Sequence, residues 1–261
     1  MFRQASTYFF LLLACWLYPS ANVTAQQTIY DETTLLYKKE INGGVHLHGH
    51  GAGLFFTKSK QKTAVKHHRW NIELVTMKHP KEEKRFFPSS DNAKGYFFGK
   101  KNALIMLRPT IGRKKIISEK YRKDGVSFST NFEIGPAIGL LKPVYIEYIV
   151  NRSGNIDDLI EIQRFDIDRH SNINNIFGRA SFFEGIFETT AVIGLHTKLG
   201  IDFEYSPYQT GVKGLEAGIA LDAFPKRVEI MDLQEVKNKR FFLSFYLRFY
   251  MGKKYNNLAK G

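Results

Sequence analysis

The chain has 261 residues, enough for one large β domain or two ordinary ones, and its formal net charge is +13. Phe 22, Tyr 13 and Gly 21 against Trp 2 favour strands over helices. The single cysteine excludes an internal disulfide, and the basic balance points to an anionic partner, whether nucleic acid, a phosphorylated lipid or an acidic polymer.

The N-terminus reads as a secretory signal. Arg3 precedes an apolar run from Tyr8 to Tyr18, followed by Pro19 and the small-residue tripeptide Val23–Thr24–Ala25. Cleavage after Ala25 removes Cys15 and Arg3, which takes the formal charge from +13 to +12 and excludes thiol catalysis. A second reading takes "LLAC" as a lipoprotein cleavage site. Residues 26–41 are expected to be a periplasmic lead-in, 42–252 the folded domain and 253–261 a basic tail. Beyond the signal, no run of about 18 apolar residues occurs, so no transmembrane helix is expected.

What recurs instead is strict alternation, the signature of half-buried strands. In chain order the pattern predicts strands over 42–57, 68–79, 97–112, 125–138, 143–150, 190–205, 211–224 and 240–252. Most exceed the ~5–6 residues usual in soluble proteins. The stretch 125–150 is too long for one strand and is expected to break near "GLLKP", with a bulge at Pro136 because proline cannot donate to a ladder. The segments 190–205 and 211–224 read as a hairpin. Within 151–189, "NIDDLIEIQRF" and "SFFEGIF", the latter capped by Ser181, are expected to form short helical pieces. The last strand places Phe241, Leu243, Phe245, Leu247, Phe249 and Met251 on one face, with Tyr246, Arg248 and Tyr250 opposite.

Alternation alone admits two architectures. A soluble exported β-sandwich that binds an acidic polymer would turn the apolar faces inward. An outer-membrane barrel would turn them to lipid and line its lumen with the polar faces. Long strands, an export signal and an aromatic final strand favour a closed antiparallel transmembrane β-barrel of about eight strands. The tail "GKKYNNLAKG" departs from barrels that end on an aromatic residue. The stretches "YFFGKKNALIMLR", "GLLKPVYIEY", "NIFGRASFFEG" and "RFFLSFYLRFYMGKKYN" resemble a family of small Gram-negative outer-membrane β-barrel proteins, mostly without assigned function. That resemblance implies a location and a fold, and brings no active site with it.

On the barrel reading, the lumen should hold a polar network of Glu73, Arg108, Glu133, Glu147, Lys198, Asp202, Glu204, Glu216, Asp222 and Arg248. An eight-stranded barrel is just wide enough to be filled by its own side chains, and charges removed from water must pair there. His46, His48 and His50 alternate in "VHLHGH", so a metal pair with a third ligand such as Glu73 is one reading. The polar face of the first strand, with Gly49, Gly51 and Gly53 turned to lipid, is the simpler one. Lys58, Lys60, Lys62, Lys66 and Arg69 cluster in the first connection; with periplasmic termini this loop lies outside the cell, near lipopolysaccharide phosphates. No cofactor is expected and no nucleic-acid module is recognised. The function expected is a structural or accessory role in the envelope, in assembly, secretion or surface binding, with outer-membrane lipid and an envelope protein complex as partners. A lipid-modifying enzyme is the alternative; it needs a nucleophile such as Ser127 or Ser129 set beside His196 and an acid.

Overall fold

The computed structural model describes residues 37–87, 94–118, 125–151, 159–205, 210–233 and 236–256; the expected signal and residues 257–261 of the tail lie outside them. In chain order the strands are β1 (Lys39–His48), β2 (Gly51–Thr63), β3 (Lys66–Met77), β4 (Lys84–Arg85), β5 (Tyr96–Phe97), β6 (Asn102–Ser118), β7 (Ser127–Pro143), β8 (Tyr145–Asn151), β9 (Leu159–Arg164), β10 (Ile176–Arg179), β11 (Thr190–Glu204), β12 (Gly211–Ala223) and β13 (Phe241–Tyr255). Eight of them close into one barrel in the order β1-β13-β12-β11-β7-β6-β3-β2, with β2 returning to β1, and every neighbouring pair is antiparallel.

Closure removes the sheet edges, and alternation then assigns every strand an inside and an outside. Outward side chains are apolar and exposed: Leu54, Trp70, Ile72, Ile111, Phe132, Ile193, Leu199, Ile201, Leu243, Phe245 and Phe249 among them. Inward side chains in the middle of the wall are buried and largely charged. This is the reverse of a soluble sandwich. A continuous apolar belt of this extent is at odds with water and at home in hydrocarbon.

The barrel differs from the sequence expectation in which segments supply its eight strands. The segment 42–57 is not one strand but a hairpin: β1 ends at His48, Gly49 and His50 form the turn, and β2 starts at Gly51. The two-residue turn shifts the side-chain phase, so Gly51 and Gly53 stand on the lumen face with Phe55, not on the lipid face. The strand expected at 143–150 is β8, which leaves the barrel and joins the three-stranded sheet β10-β8-β9. β7 runs unbroken to Pro143, and its register with β11 passes Pro136 without a bulge. Leu159–Arg164, expected as a helix, is β9; "SFFEGIF" holds a turn and one short 3-10 turn at Ile186–Glu188. β13 reaches Tyr255, so Lys253 and Lys254 belong to the barrel and not to a tail.

The two ends of the barrel are unlike. At one end, the short-turn end, Lys39 pairs with Tyr255, and short connections join β2 to β3, β6 to β7 and β11 to β12. At the other lie the β1–β2 turn and three long connections, 78–101, 144–189 and 224–240. Two of these carry their own structure: the β4–β5 ribbon and the β10-β8-β9 sheet, which share a small core of Tyr96, Ile146, Phe165 and Ile176. The third folds over the barrel mouth. Its Val228, Ile230 and Met231 pack on the inward-facing ends of the strands at Val75, Met77, Leu104, Met106 and Phe242. The Ile230 carbonyl accepts from the backbone N–H groups of Lys101 at 3.0 Å and Asn102 at 3.2 Å, which pins this plug to the start of β6. The Lys101 ammonium also donates to Glu229 at 2.9 Å, and that hydrogen bond holds its pKa above the ordinary lysine value.

Replacing an outward residue at mid-wall with arginine is expected to cost about 2–4 kcal/mol if that face meets lipid. Leu199→Arg should therefore reduce the fraction that folds into vesicles, read as mobility change on boiling, while Leu199→Val leaves it near wild type. Equal folding of the two variants would contradict the outward assignment of the apolar face.

Candidate functional site: a salt-bridged lumen

The candidate site is the lumen itself. Its residues come from inward positions of six strands that are far apart in sequence, and the register brings them to one level. Glu73 on β3 lies at its centre. Lys198 Nζ on β11 donates to Glu73 Oε1 at 2.9 Å, and the Arg248 guanidinium on β13 donates to the same oxygen. Arg108 Nη1 on β6 stands 3.6 Å from Glu73 Oε2. Asn71 adds a neutral donor at 2.8 Å.

Glu133 on β7 shares Lys198, at 2.9 Å, and accepts from the Thr110 hydroxyl at 2.9 Å and from Asn71 at 3.1 Å. Glu216 on β12 accepts from the Tyr246 hydroxyl at 2.7 Å and from both Nη atoms of Arg69 at 3.2 Å. Toward the long-connection end, Asp222 takes Arg108 Nη2 at 2.6 Å and His196 Nδ1 at 2.7 Å. Toward the short-turn end, Asp202 takes Lys114 at 3.1 Å and the Tyr250 hydroxyl at 2.6 Å. Beyond it, Glu204 accepts from Lys254 at 2.7 Å. The five carboxylates Glu73, Glu133, Asp202, Glu216 and Asp222 thus meet the five cations Arg69, Arg108, Lys114, Lys198 and Arg248, all of them buried. Unpaired, each would cost several kcal/mol in such a place; shared between neighbours, they form a solid polar filling.

Nine of the ten residues expected in the lumen stand there: Glu73, Arg108, Glu133, Lys198, Asp202, Glu204, Glu216, Asp222 and Arg248. Glu147 does not. It lies on β8 in the side sheet, 3.6 Å from Lys94, because alternation marks a strand without saying which sheet it joins. Arg69, expected in a basic loop, is an inward residue of β3 and a full member of the network. Asn71, Thr110 and Lys114 join them, found by their inward phase on β3 and β6, as do Tyr246 and Tyr250, which share the polar face of the last strand with Arg248.

The three histidines do not share one strand face. His46 is wholly buried, stacks on Tyr246 at 5.2 Å and accepts from Arg248 Nε at Nδ1, at 2.9 Å. Its Nδ1 is 3.7 Å from Glu73 Oε2, so the expected neighbour is present, but across the lumen and not on the next strand. His48 Nδ1 accepts from the backbone of His50, which sits in the turn. Among the described residues, no group of three or more His, Cys, Asp or Glu has metal-holding geometry. The nucleophile–histidine pair fares no better. Ser129 pairs with Asp202 and His196 with Gly135, so Ser129 and His196 lie six β7 positions apart, roughly 20 Å. Ser127 is further still.

No protein-family profile and no curated protein matches the chain. Solved structures do. Ail, the attachment invasion locus protein of Yersinia pestis, is 10% identical, with 84% of this chain and 99% of that chain covered and a TM-score of 0.39. Neisserial surface protein A is 8% identical, covering 83% and 96%, with a TM-score of 0.40. The outer-membrane protein OprG of Pseudomonas aeruginosa is 10% identical, covering 84% and 96%, with a TM-score of 0.35. The likeness is one of fold. The description of this chain as a closed eight-stranded barrel rests on its own strand order and on the chemistry of its two faces.

Because Lys198 serves two carboxylates, removing its charge leaves both under-compensated. Lys198→Met is expected to destabilise the barrel by about 3–5 kcal/mol. Adding Glu133→Gln should recover part of that loss, since one buried anion then disappears with the cation. A urea-unfolding series that found the single variant as stable as wild type would mean that Lys198 is not the hub its contacts indicate.

Proposed function

We propose that this chain is an outer-membrane β-barrel with a non-conducting lumen, serving the envelope through the structures at its long-connection end. Support comes from one combined observation: the outer wall is apolar, the lumen is filled by paired charges, and the mouth is plugged by Phe224, Val228, Ile230 and Met231. A barrel so filled is a support for its loops and not a solute path. Outer-membrane barrels carry short turns on the periplasmic side and long connections outside. By that rule the termini are periplasmic, and the β4–β5 ribbon and β10-β8-β9 sheet face the exterior.

The exterior platform has the chemistry of an interaction surface. Phe182, Phe183 and Phe187 are exposed beside the side sheet, Phe187 completely so. Lys84, Arg85, Arg164 and Arg179 are exposed on the ribbon and sheet. Cations at this end are placed for lipopolysaccharide phosphates, and the aromatic tip for an envelope protein. The basic residues Lys58, Lys60, Lys62 and Lys66 are not: the hairpin at Gly49–His50 moves them to the short-turn end, on the opposite side from the platform. The role assigned is accessory and non-enzymatic.

Two measurements test this reading. Vesicles carrying the folded protein should be as tight to small sugars as empty ones. A photo-crosslinking residue at Phe187 should trap an envelope protein or lipopolysaccharide in cells, while one at Phe245 on the belt traps neither. Sugar flux above the empty-vesicle rate would refute the closed lumen, and an absence of any adduct at Phe187 would refute the interaction role.

A further inference from the structure

Pro109 on β6 and Pro136 on β7 fall opposite one another: the β6–β7 ladder pairs Leu107 with Ile138 and Ile111 with Ile134, and nothing pairs between them. Neither proline has an N–H to give, so both cross-strand bonds of that step are missing. Both rings point outward, between larger neighbours. The result is an open groove of about 730 Å³ on the outer wall, bordered by Trp70, Ile72, Ile111 and Ile134 with the two prolines as its floor.

The register also fixes what lies next to this groove toward the short-turn end. Level with its border, Lys58 pairs with Trp70, which pairs with Ile111. One outward step further, Lys60, His68 and Arg113 stand side by side on β2, β3 and β6. One more step on, Lys66 faces Lys115. Each outward step is about 7 Å and each strand about 4.8 Å from the next, so the middle row spans roughly one headgroup. The lysines and the arginine are exposed. No carboxylate among the described residues pairs with them, and the outward positions of β2, β3 and β6 hold none. On the β1 side Lys39, also outward, extends the row beyond Lys60; elsewhere around this end the wall is mostly apolar, as at Phe128, Phe203 and Phe249, with Lys213 and Lys253 on β12 and β13. An indole at the apolar border and cations just beyond it reproduce, in order of depth, the interface of a bilayer.

We propose that this face is a built site for one anionic phospholipid of the periplasmic leaflet, with its phosphate at Lys60, His68 and Arg113 and an acyl chain in the proline groove. The inference rests on the outer-membrane reading above and adds a specific lipid, a leaflet and a place on the wall. Lipid A phosphates belong to the opposite leaflet and are not the ligand here.

The test uses the full-length protein extracted folded from outer membranes. Native mass spectrometry would measure retention of added dioleoyl-phosphatidylglycerol against dioleoyl-phosphatidylethanolamine. Wild type should retain the anionic lipid preferentially. Lys60→Gln with Arg113→Gln should lower that retention by roughly fivefold for each charge removed, with the zwitterionic lipid unchanged. Ile134→Trp, which fills the groove, should lower retention of both lipids. Lys58→Gln with Lys115→Gln replaces the first pair if that pair fails to give the boiling-dependent mobility of a folded barrel. Equal retention of the two lipids by wild type, undiminished retention by the charge variants, or preference for lipid A over phosphatidylglycerol would each overturn the site. A wild-type protein recovered in soluble form would overturn the membrane reading; one recovered folded from the outer membrane but blind to headgroup charge would overturn the lipid site alone.

Discussion

Glu73 is the point on which the barrel closes. It is held by Lys198 from β11, Arg248 from β13 and Arg108 from β6, and it stands beside His46 from β1. One carboxylate on β3 therefore ties three other strands across the lumen, and of those ties only Arg108's runs between ladder neighbours. A wall of hydrogen-bonded strands fixes each strand against the next. A shared buried charge fixes strands against their opposites, because any slip in register would strand an ion in a place that cannot solvate it. The outward face carries no such demand, since any apolar side chain of ordinary size satisfies lipid. Specificity of pairing is thus concentrated inside.

That division explains what could be read from the sequence. The phases of β11, β12 and β13 were legible because apolar and charged residues alternate without interruption, as in Leu199, Ile201 and Phe203 against Lys198, Asp202 and Glu204. The hairpin between β1 and β2 was hidden. Its turn falls among glycines at 49, 51 and 53, which carry no side chain to report a face, and the following Leu54–Phe55–Phe56 is apolar on both. The pattern and the barrel therefore agree on eight strands although 42–57 supplies two of them and β8 none. Pro136 looked like a disruption because a proline lacks a donor. Its amide position points toward β6 alone, where Pro109 faces it, so the ladder to β11 runs on unharmed. The lumen membership of Asn71, Thr110 and Arg69 followed only once the phase of β3 and β6 was attached to a closed barrel.

The same closure separates the labour of the two ends. The long connections spend their apolar residues on a plug and a small side core, and leave Phe182, Phe183 and Phe187 uncovered. At the short-turn end the described residues place Lys58, Lys60, Arg113 and Lys115 on the outside of the wall. On the proposed reading, one end meets macromolecules and the other sits in a headgroup layer, with the charge-filled lumen between them.

The most direct test of this inside–outside assignment is single-cysteine labelling in a Cys15→Ser background with a thiol reagent dissolved in the membrane. Cysteines at Leu221 and Phe245, both outward, should react in folded protein, while cysteines at Ala220 and Ser244, both small and buried in the lumen face, should react only after unfolding. The opposite pattern, with Ala220 and Ser244 labelled and Leu221 and Phe245 protected, would mean that the apolar faces form a core and that the barrel does not meet lipid.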